Sequence, residues 1–498
     1  MAPQDRPMTR LQPAVTGRGD PPAPAPDLII VAYAVAPGPG GPESHVNARF
    51  LQALATWWPA SVTVITAGAS PRFDQHRALA ELPNWTLHSL GEAGDAGPDS
   101  RLVNRVSAWC VSQLRSNGLG TIPAKIVNRV FYWRTGDGVK TISWQNAARR
   151  ALRRALRLHP NAVVYSRALP FTSIAAVAAE RRRARFPWIV NINDPLPPDV
   201  WAGLYQSDPW SIQRMHTRFR ALLPLIDAFT FPCVQLRNLE IAAFPTINAV
   251  PHGILPHLAN PVVEVVAAKD AKEPGSRLRD HDTRLRIAFS GTLRKNRVCD
   301  ELRTALEALA RDAPHVVANI VFSFHLARPT PHADEFISRL PGTTEIVLGE
   351  FDEVLDTALG QADVLLDLES VPDTPLLLTK VANYIGIGKP IWAICAPDGT
   401  TWNLIQTTGW GYASRIGDQA DIAQTLSRIY ADWTEGRLHT KNPNQDLVDR
   451  FSAQRQIADL SALCTYLTQP RSQPANQYAN GSGPAGPGAR PPVILDWP

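Results

Sequence analysis

Cationic side chains in two segments of the second half could carry out chemistry on phosphate. Arg294, Lys295 and Arg297 lie in SGTLRKNR, directly after an apolar run that predicts a buried strand. Lys380 lies on a predicted helix that follows another such strand. Arg and Lys stabilise the negative charge that develops on phosphate oxygens when a diphosphate departs. We therefore expect Arg294, Arg297 and Lys380 to be catalytic; the alternative is that some of these cations only solvate a loop or a helix face.

Neighbouring positions in the same two segments are predicted to bind the phosphate-bearing ligand. Asn383 and Tyr384 follow Lys380 at i+3 and i+4 and share its helix face, whereas Val381 and Ile385 form a core-facing stripe. This polar face, beside the strand ends, can reach phosphate and ribose. The complete predicted ligand-binding set is Gly291, Thr292, Lys295, Asp373, Thr374 and Asn383.

A glycine-rich turn near the start of the chain is a third candidate. Gly40 and Gly41 lie in PGPGGPESH, between an apolar strand pattern and a helix. Glycines allow a ligand to approach the backbone, and a helix N-terminus offers unpaired N–H groups to an anion. The turn does not follow the G-x-G-x-x-G register, and such turns are often purely structural.

Polar residues at strand ends of the first half form a fourth group. Arg167 and Asp194 end two predicted strands, and His252, in PHG, is predicted to follow another. We expect Arg167, Asp194 and His252 to line a cleft. The alternative is that they are helix caps or turn residues.

Strand and helix patterns alternate through both halves of the chain. Short apolar runs such as LIIVAYAV and SVTVITA predict strands that alternate with helices, and a second series of alternating strands and helices begins at LRIAFSG. This alternation predicts an α/β protein with two facing, Rossmann-like, doubly wound domains. Ligands of such sheets bind at the carboxyl ends of the strands.

The predicted domains follow from changes in pattern and composition. Proline- and glycine-rich ends cannot bury enough apolar surface to fold, and the charged stretch Ala267–Arg284 marks a connection. The final helix carries Ile457, Leu460 and Cys464 on one face and could pack back across the domain junction. The predicted segments are a disordered start (1–26), a first domain (27–253) with a helical and loop insertion at about 68–145, a connection (254–284), a second domain (285–440), a C-terminal helix (441–469) and a disordered tail (470–498).

The overall charge does not indicate a nucleic-acid binder, but its distribution is uneven. The formal net charge is +5, with 44% hydrophobic and 19% charged residues. From Arg101 to Arg167 there are 13 basic residues and one acid, Asp137. This region could bind peripherally to an anionic membrane. The alternative is that Ala147–Leu158 is a helix with a solvated basic face.

Cysteine use and hydropathy predict a cytoplasmic protein, peripheral at most to the inner face of a membrane. The five cysteines are widely spaced and form no C-x-x-C pair. Neither a disulfide framework nor a zinc site is indicated, which fits a reducing compartment. The start has no apolar core of a signal peptide, and no apolar stretch approaches the roughly 18 residues that span a bilayer.

The order and spacing of several segments resemble the family-four glycosyltransferases of the GT-B fold, especially bacterial polysaccharide and lipid-linked glycan members. These segments are GGPESHVNARFLQAL, VVYSRALPF, PWIVNINDP, IAFSGTLRKNR and LLLTKVANYIGIGKPI, and the resemblance extends from about Leu28 to Leu467. It implies transfer of a sugar with retention, from a nucleotide-sugar bound by the second domain to a carbohydrate or lipid-linked acceptor bound by the first. It also implies no metal and no cofactor.

Individual residues of the resemblance match unevenly. Arg294 or Arg297, with Lys295 close by, falls on the family's basic phosphate-binding positions, and Lys380 matches a frequent lysine. Relatives commonly carry two acids eight positions apart, where this chain has Pro375 and Asn383. Asparagine can still bond ribose hydroxyls, and Asp373 is two residues from Pro375.

The replaced acids favour a second hypothesis, a non-catalytic GT-B protein that binds glycans or acts as a scaffold. A nicotinamide oxidoreductase would require a dinucleotide fingerprint with an acid about 20 residues further on. The PGPGGP turn provides neither the register nor that partner convincingly.

Overall fold

The computed structural model describes most of the chain between residues 25 and 469. The described ranges are 25–33, 42–67, 81–90, 139–168, 170–197, 209–259, 284–293, 299–326, 329–349, 358–370, 374–439 and 444–469. The two predicted disordered ends, the turn with Gly40 and Gly41, and most of the predicted insertion and connection lie outside these residues.

The first domain is built on a seven-stranded sheet in which all described pairings are parallel. Its strands are β1 (Leu28–Val31), β2 (Val62–Thr66), β3 (Trp85–Ser89), β4 (Val163–Arg167), β5 (Trp188–Asn191), β6 (Ala228–Phe231) and β7 (His252–Ile254). The spatial order is β3-β2-β1-β4-β5-β6-β7. Strands β1 and β2 are buried along their whole length, as continuous apolar runs in a parallel sheet require.

Five helices connect these strands within the described ranges. They are α1 (Pro42–Trp57), α2 (Val139–Leu158), α3 (Thr172–Arg181), α4 (Pro209–Leu222) and α5 (Val234–Ala243). Two expectations are corrected here. The predicted insertion contains β3, an edge strand of the sheet, because its half-exposed sequence lacks the apolar run that marks a central strand. The helical spacing of Val46, Phe50, Leu54 and Trp57 predicts that all four lie on the buried face of α1, but Trp57 is 40% exposed and Trp58 is buried instead.

The second domain is built on a six-stranded sheet that is parallel throughout. Its strands are β8 (Leu285–Gly291), β9 (Ile320–Leu326), β10 (Thr343–Leu348), β11 (Val364–Leu368), β12 (Ile391–Cys395) and β13 (Gly411–Arg415), in the spatial order β10-β9-β8-β11-β12-β13. Strand β8 has the bounds of the predicted LRIAFSG strand. Strand β13 was not predicted, because GYASR is short and only alternately buried.

The helices described in the second half complete this domain and return to the first. They are α6 (Cys299–Asp312), α7 (Pro314–Ala318), α8 (Pro331–Ser338), α9 (Thr379–Ile387), α10 (Thr400–Thr408), α11 (Gln419–Thr434), α12 (Gln445–Val448) and α13 (Ala453–Thr468). Helix α13 packs against α1. Its buried residues Ile457, Leu460 and Cys464 join the core formed by β1 and α1, so the expected return to the first domain is confirmed.

Both sheets reverse their strand order next to their first strand. In the first sheet β1 lies between β2 and β4, and in the second β8 lies between β9 and β11. At such switch points the connections leave toward opposite faces, which opens a crevice at the carboxyl ends of the strands. One apolar cluster, including Leu236 and Leu377, is continuous between the two domains, so these edges are packed together. The predicted fold class, two facing doubly wound domains, is therefore confirmed.

Candidate functional site

The carboxyl end of β8 is shaped by a glycine. Gly291 has φ of 140°, a conformation that L side chains rarely adopt. This backbone turns the chain out of the sheet into Thr292, which is half-buried, and Leu293, which is buried. The predicted catalytic and phosphate-binding residues Arg294, Lys295 and Arg297 come next and lie outside the described residues.

Lys380 lies on α9 and reaches back to the end of β11. Its Nζ lies 2.5 Å from Oδ1 of Asp367, a carboxylate with no exposed surface. It also donates to the carbonyl of Leu368 at 3.3 Å and lies 4.9 Å from the ring centre of Phe289. Neither Asp367 oxygen has the geometry of a directed hydrogen bond. The contact is therefore an ion pair between the ammonium group of Lys380 and a buried carboxylate.

The remaining polar residues of the α9 face separate into two environments. Asn383 Oδ1 accepts a hydrogen bond from Arg49 Nη1 of α1, across the cleft. Tyr384 is fully buried, and its hydroxyl accepts from the backbone N–H of Ser290 at 2.8 Å. The prediction that Tyr384 belongs to the ligand-facing polar side of α9 is therefore wrong, because its hydroxyl bonds the backbone of β8. The burial of Val381 and Ile385 is as predicted.

The turn before α9 is held by backbone contacts. The Thr374 carbonyl accepts from Thr400 N at 2.8 Å, and the Pro375 carbonyl accepts from Cys233 Sγ at 3.2 Å. Relatives of the resembled family place an acid at the position of Pro375. In this chain that residue contacts the first domain through its carbonyl. Asp373 lies outside the described residues.

In the first domain, Arg167 ends β4 at the switch point. It is 5% exposed and its Nη1 donates to Oδ1 of Asn191 and, at 3.3 Å, to Oδ1 of Asn193. Asp194 follows in the next segment and is half-buried. That Arg167 and Asp194 line a ligand-binding cleft stays a prediction.

His252 is located differently from the expectation. It begins β7 and its Nδ1 contacts the Val250 carbonyl at 3.0 Å, so PHG starts a strand and does not follow one. His257 lies three residues beyond the carboxyl end of β7, and its imidazole is close to the backbone of Leu377 in the second domain. Burial lowers the pKa of His257 to about 3, and the charges of Arg167 and Arg49 act in the same direction.

Sequence reasoning missed three residues of this cleft. Two of them, Arg49 and His257, were not considered. The signal for Arg49 is its place on the predicted helix of GGPESHVNAR, and the signal for His257 is its place in ILPH, close to a predicted strand end. Glu369, directly after β11, is fully buried and accepts from Ala396 N at 3.3 Å and Thr401 Oγ1 at 3.1 Å. The acid in DLES was a signal for it.

A cavity of about 310 Å³ also lies between the domains. It is lined by the turn from β6 into α5, by α10, by Leu377 and by Phe451, and its lining includes neither Lys380 nor Arg167. Among the described residues, no group of three or more His, Cys, Asp or Glu side chains could hold a metal ion. The expectation of a site without metal or cofactor stays a prediction.

Comparison with solved structures supports this architecture. The structure resembles trehalose-phosphate synthase (UDP-forming) from Burkholderia vietnamiensis, with a TM-score of 0.55 and 13% identity over 88% of this chain and 100% of that one. It resembles sucrose-phosphate synthase from Thermosynechococcus elongatus at 0.56 and 14%, over 89% and 99%. An E. coli trehalose-6-phosphate structure bound with UDP-2-fluoro glucose matches at 0.55 and 12%, over 89% and 99%.

At these identities the similarity defines a fold. The chain has the two-domain GT-B architecture, with two parallel sheets whose carboxyl edges face each other. No protein-family model and no curated protein sequence matches the chain. Membership of glycosyltransferase family four therefore stays a prediction.

Proposed function

We propose that the protein transfers a sugar, with retention, from a nucleotide-sugar to a carbohydrate or lipid-linked acceptor. The observation that carries the proposal is a contact across the cleft: Arg49 of α1 donates to Asn383 of α9, so the two domains meet beside the carboxyl ends of their strands. Donor and acceptor held at the two edges would meet in this cleft. The similar structures include a UDP-forming synthase and a complex with a UDP-sugar analogue, which supports a nucleotide-sugar donor.

Within this proposal, the second domain holds the donor. Arg294, Arg297 and Lys380 would stabilise the departing diphosphate, since cations positioned at phosphate oxygens bind the transition state more tightly than the ground state. Asn383 would hydrogen-bond the ribose when its bond with Arg49 opens. The acceptor would approach from the first domain, through Arg167 and Asp194.

The direct test incubates the full chain with a panel of UDP- and GDP-sugars and mixed sugar acceptors, and measures release of the nucleoside diphosphate. Calorimetry with UDP and GDP alone runs in parallel. Acceptor-dependent release with one donor supports the proposal. If the chain binds neither UDP nor GDP at millimolar concentration, the proposal of a nucleotide-sugar transferase is wrong.

A non-catalytic role in glycan binding or scaffolding is the second candidate. Pro375 and Asn383 stand where relatives have acids. Here Pro375 accepts a hydrogen bond from Cys233, and Asn383 accepts one from Arg49. Both positions therefore form contacts between the domains, which favours this candidate. Nucleotide binding without release from any donor, together with glycan binding on an array, would favour this candidate.

We further propose that the enzyme acts in the cytoplasm and contacts anionic membranes through α2. Two of its arginines, Arg149 and Arg153, bond the buried Glu180 at 3.2 and 2.8 Å and so belong to the fold. Arg150, Arg154 and Arg157 are exposed and recur at helical spacing on one face. No described helix combines the length and apolar character needed to cross a bilayer.

Liposome co-sedimentation tests this contact. Binding of the full chain to vesicles with anionic lipid is expected at low salt and should weaken at high salt, because a surface contact is screened within about 10 Å at 0.1 M salt. Replacing Arg150, Arg154 and Arg157 together by Gln should abolish it. The charge-matched control replaces the exposed Arg339, Arg428 and Arg437 of the second domain; equal loss in both triple variants would contradict a contact through α2.

A further inference from the structure

Arg167 is a cation buried at the end of β4. Only 5% of the residue is exposed, and among the described residues its buried Nε has no hydrogen-bond partner. Among the described residues no carboxylate forms an ion pair with it. Burying a charge without a counter-charge is costly, so folded proteins rarely do this unless a ligand supplies the opposite charge.

The described residues that contact Arg167 directly are polar or aromatic but neutral. Its guanidinium carbon lies 4.8 Å from the ring centre of Phe50 and 5.9 Å from that of Tyr165. The amide oxygens of Asn191 and Asn193 accept from Nη1. These contacts orient the guanidinium and partly solvate it, and they leave its charge uncompensated.

A second arginine adds to the positive field at this point. Arg49 of α1 and Arg167 both act on His257, and together with burial they lower the pKa of that imidazole to about 3. His257 is therefore neutral at pH 7. The described charges that act on His257 are the two guanidinium groups, and both are positive.

The position of the pair indicates what it binds. Arg167 ends β4 at the switch point of the first domain, whereas the cations predicted for the donor diphosphate, Arg294, Arg297 and Lys380, belong to the second. We infer that Arg167 and Arg49 bind a phosphate group carried by the acceptor. This inference rests on the proposed function and specifies its acceptor as anionic.

Access to Arg167 requires the two domains to separate. The space beside it, also lined by Tyr165, Asn191 and His257, has a volume of about 10 Å³, enough for one water. Phosphate can enter once the bond from Arg49 to Asn383 opens and His257 moves away from Leu377. Motion between domains of one chain is the ordinary expectation.

Calorimetry of the full chain with inorganic phosphate and, separately, with UDP tests the inference. Arg167→Gln keeps a polar side chain and removes the charge; it should weaken phosphate binding at least about tenfold and leave the dissociation constant of UDP within about twofold. The matched control is Arg182→Gln, at an exposed arginine that follows α3. It should change neither constant. Circular dichroism and melting temperature report whether each variant is folded.

A second variant keeps the test valid if Arg167→Gln fails to fold. Asn193→Asp introduces a carboxylate at a position now 3.3 Å from Arg167 Nη1, so it supplies an internal counter-charge. It should weaken phosphate binding while retaining or raising stability.

Three outcomes would overturn the inference, and each is distinct from failure of the proposed function. The first is that the unmodified protein does not bind phosphate. The second is that Arg167→Gln and Asn193→Asp both bind phosphate as tightly as the unmodified protein. The third is that these variants lose affinity for UDP and keep their affinity for phosphate. The last outcome would assign the arginines to the donor diphosphate. Absence of UDP binding by the unmodified protein contradicts the proposed function and leaves the phosphate result interpretable by itself.

Discussion

At the scale of single residues, Lys380 combines a structural contact with a proposed catalytic one. Its removal alone leaves Asp367 buried without a partner, which should lower the free energy of unfolding by about 3 kcal/mol. A loss of activity in Lys380→Met therefore says little about chemistry. The double variant Lys380→Met with Asp367→Asn removes both charges and should regain most of that stability.

Urea unfolding and transfer assays on these two variants separate the roles. If Lys380 stabilises the departing diphosphate, the stable double variant should lose about 100-fold in kcat, comparable to removal of one oxyanion donor. If the double variant regains kcat together with stability, the role of Lys380 is limited to its ion pair with Asp367.

His257 makes a separate residue-scale prediction about pH. Its pKa is about 3 in the folded protein and 6.5 for an ordinary histidine, so the unfolded chain binds the extra proton as pH falls below 6.5. Acidification from pH 6.5 toward pH 3 should destabilise the fold through this group, by up to about 1.4 kcal/mol per pH unit. Above pH 6.5 its contribution is constant.

Unfolding by urea at several pH values between 7 and 4 checks this for the unmodified protein and His257→Gln. The variant should lose stability less steeply with acid, and the two curves should converge as pH falls. Parallel curves would mean that His257 titrates normally in the folded protein.

At the scale of elements, the end of β8 depends on a conformation available to glycine. An alanine at Gly291 would find ordinary space, with Phe289 Cζ 3.5 Å from its Cβ, but would have to adopt φ of 140°. We expect Gly291→Ala to destabilise by about 1–3 kcal/mol through backbone strain. It should also misdirect the segment that begins at Thr292, and so weaken UDP binding.

Gly360→Ala is the control for this prediction. Its Cβ would meet nothing within 4 Å, its φ is not positive, and the residue lies in a helical segment. Alanine should be neutral or stabilising there by up to about 1 kcal/mol. Thermal unfolding and calorimetry with UDP compare the two variants; equal effects would contradict a special conformation at Gly291.

At the scale of the whole molecule, polar contacts between described residues of the two domains help to close the cleft. The bond from Arg49 to Asn383 is one of them. Its loss in Arg49→Ala should cost about 1 kcal/mol, which changes the ratio of closed to open molecules about fivefold. Small-angle X-ray scattering should therefore report a larger radius of gyration for the variant without ligand.

Thr56→Ala, at an exposed position of the same helix, should leave the scattering curve unchanged. An unchanged radius in both variants would mean that apolar packing, including Leu377 and Phe451, holds the domains without help from this bond.

Local patterns were sufficient to predict much of the architecture. Apolar runs of LRIAFSG or VVYSR type are unambiguous because a strand buried on both faces tolerates few polar residues, and they were located to within a residue or two. Three strands escaped prediction, β3, β7 and β13, and all three lie at sheet edges. Strands β3 and β13 are partly exposed, which weakens the apolar signal, and β7 has only three residues.

The site depended on information that is not local. Sequence reasoning placed Arg167 at a strand end and Lys380 on a helix that follows a strand, because side-chain type and distance from an apolar run are visible in the chain. It could not pair Lys380 with Asp367, bury Tyr384 against β8, or bring Arg49 to Asn383, 334 positions away. Those contacts arise from strand order and from the approach of two domains, since only the folded chain brings distant segments within hydrogen-bond distance.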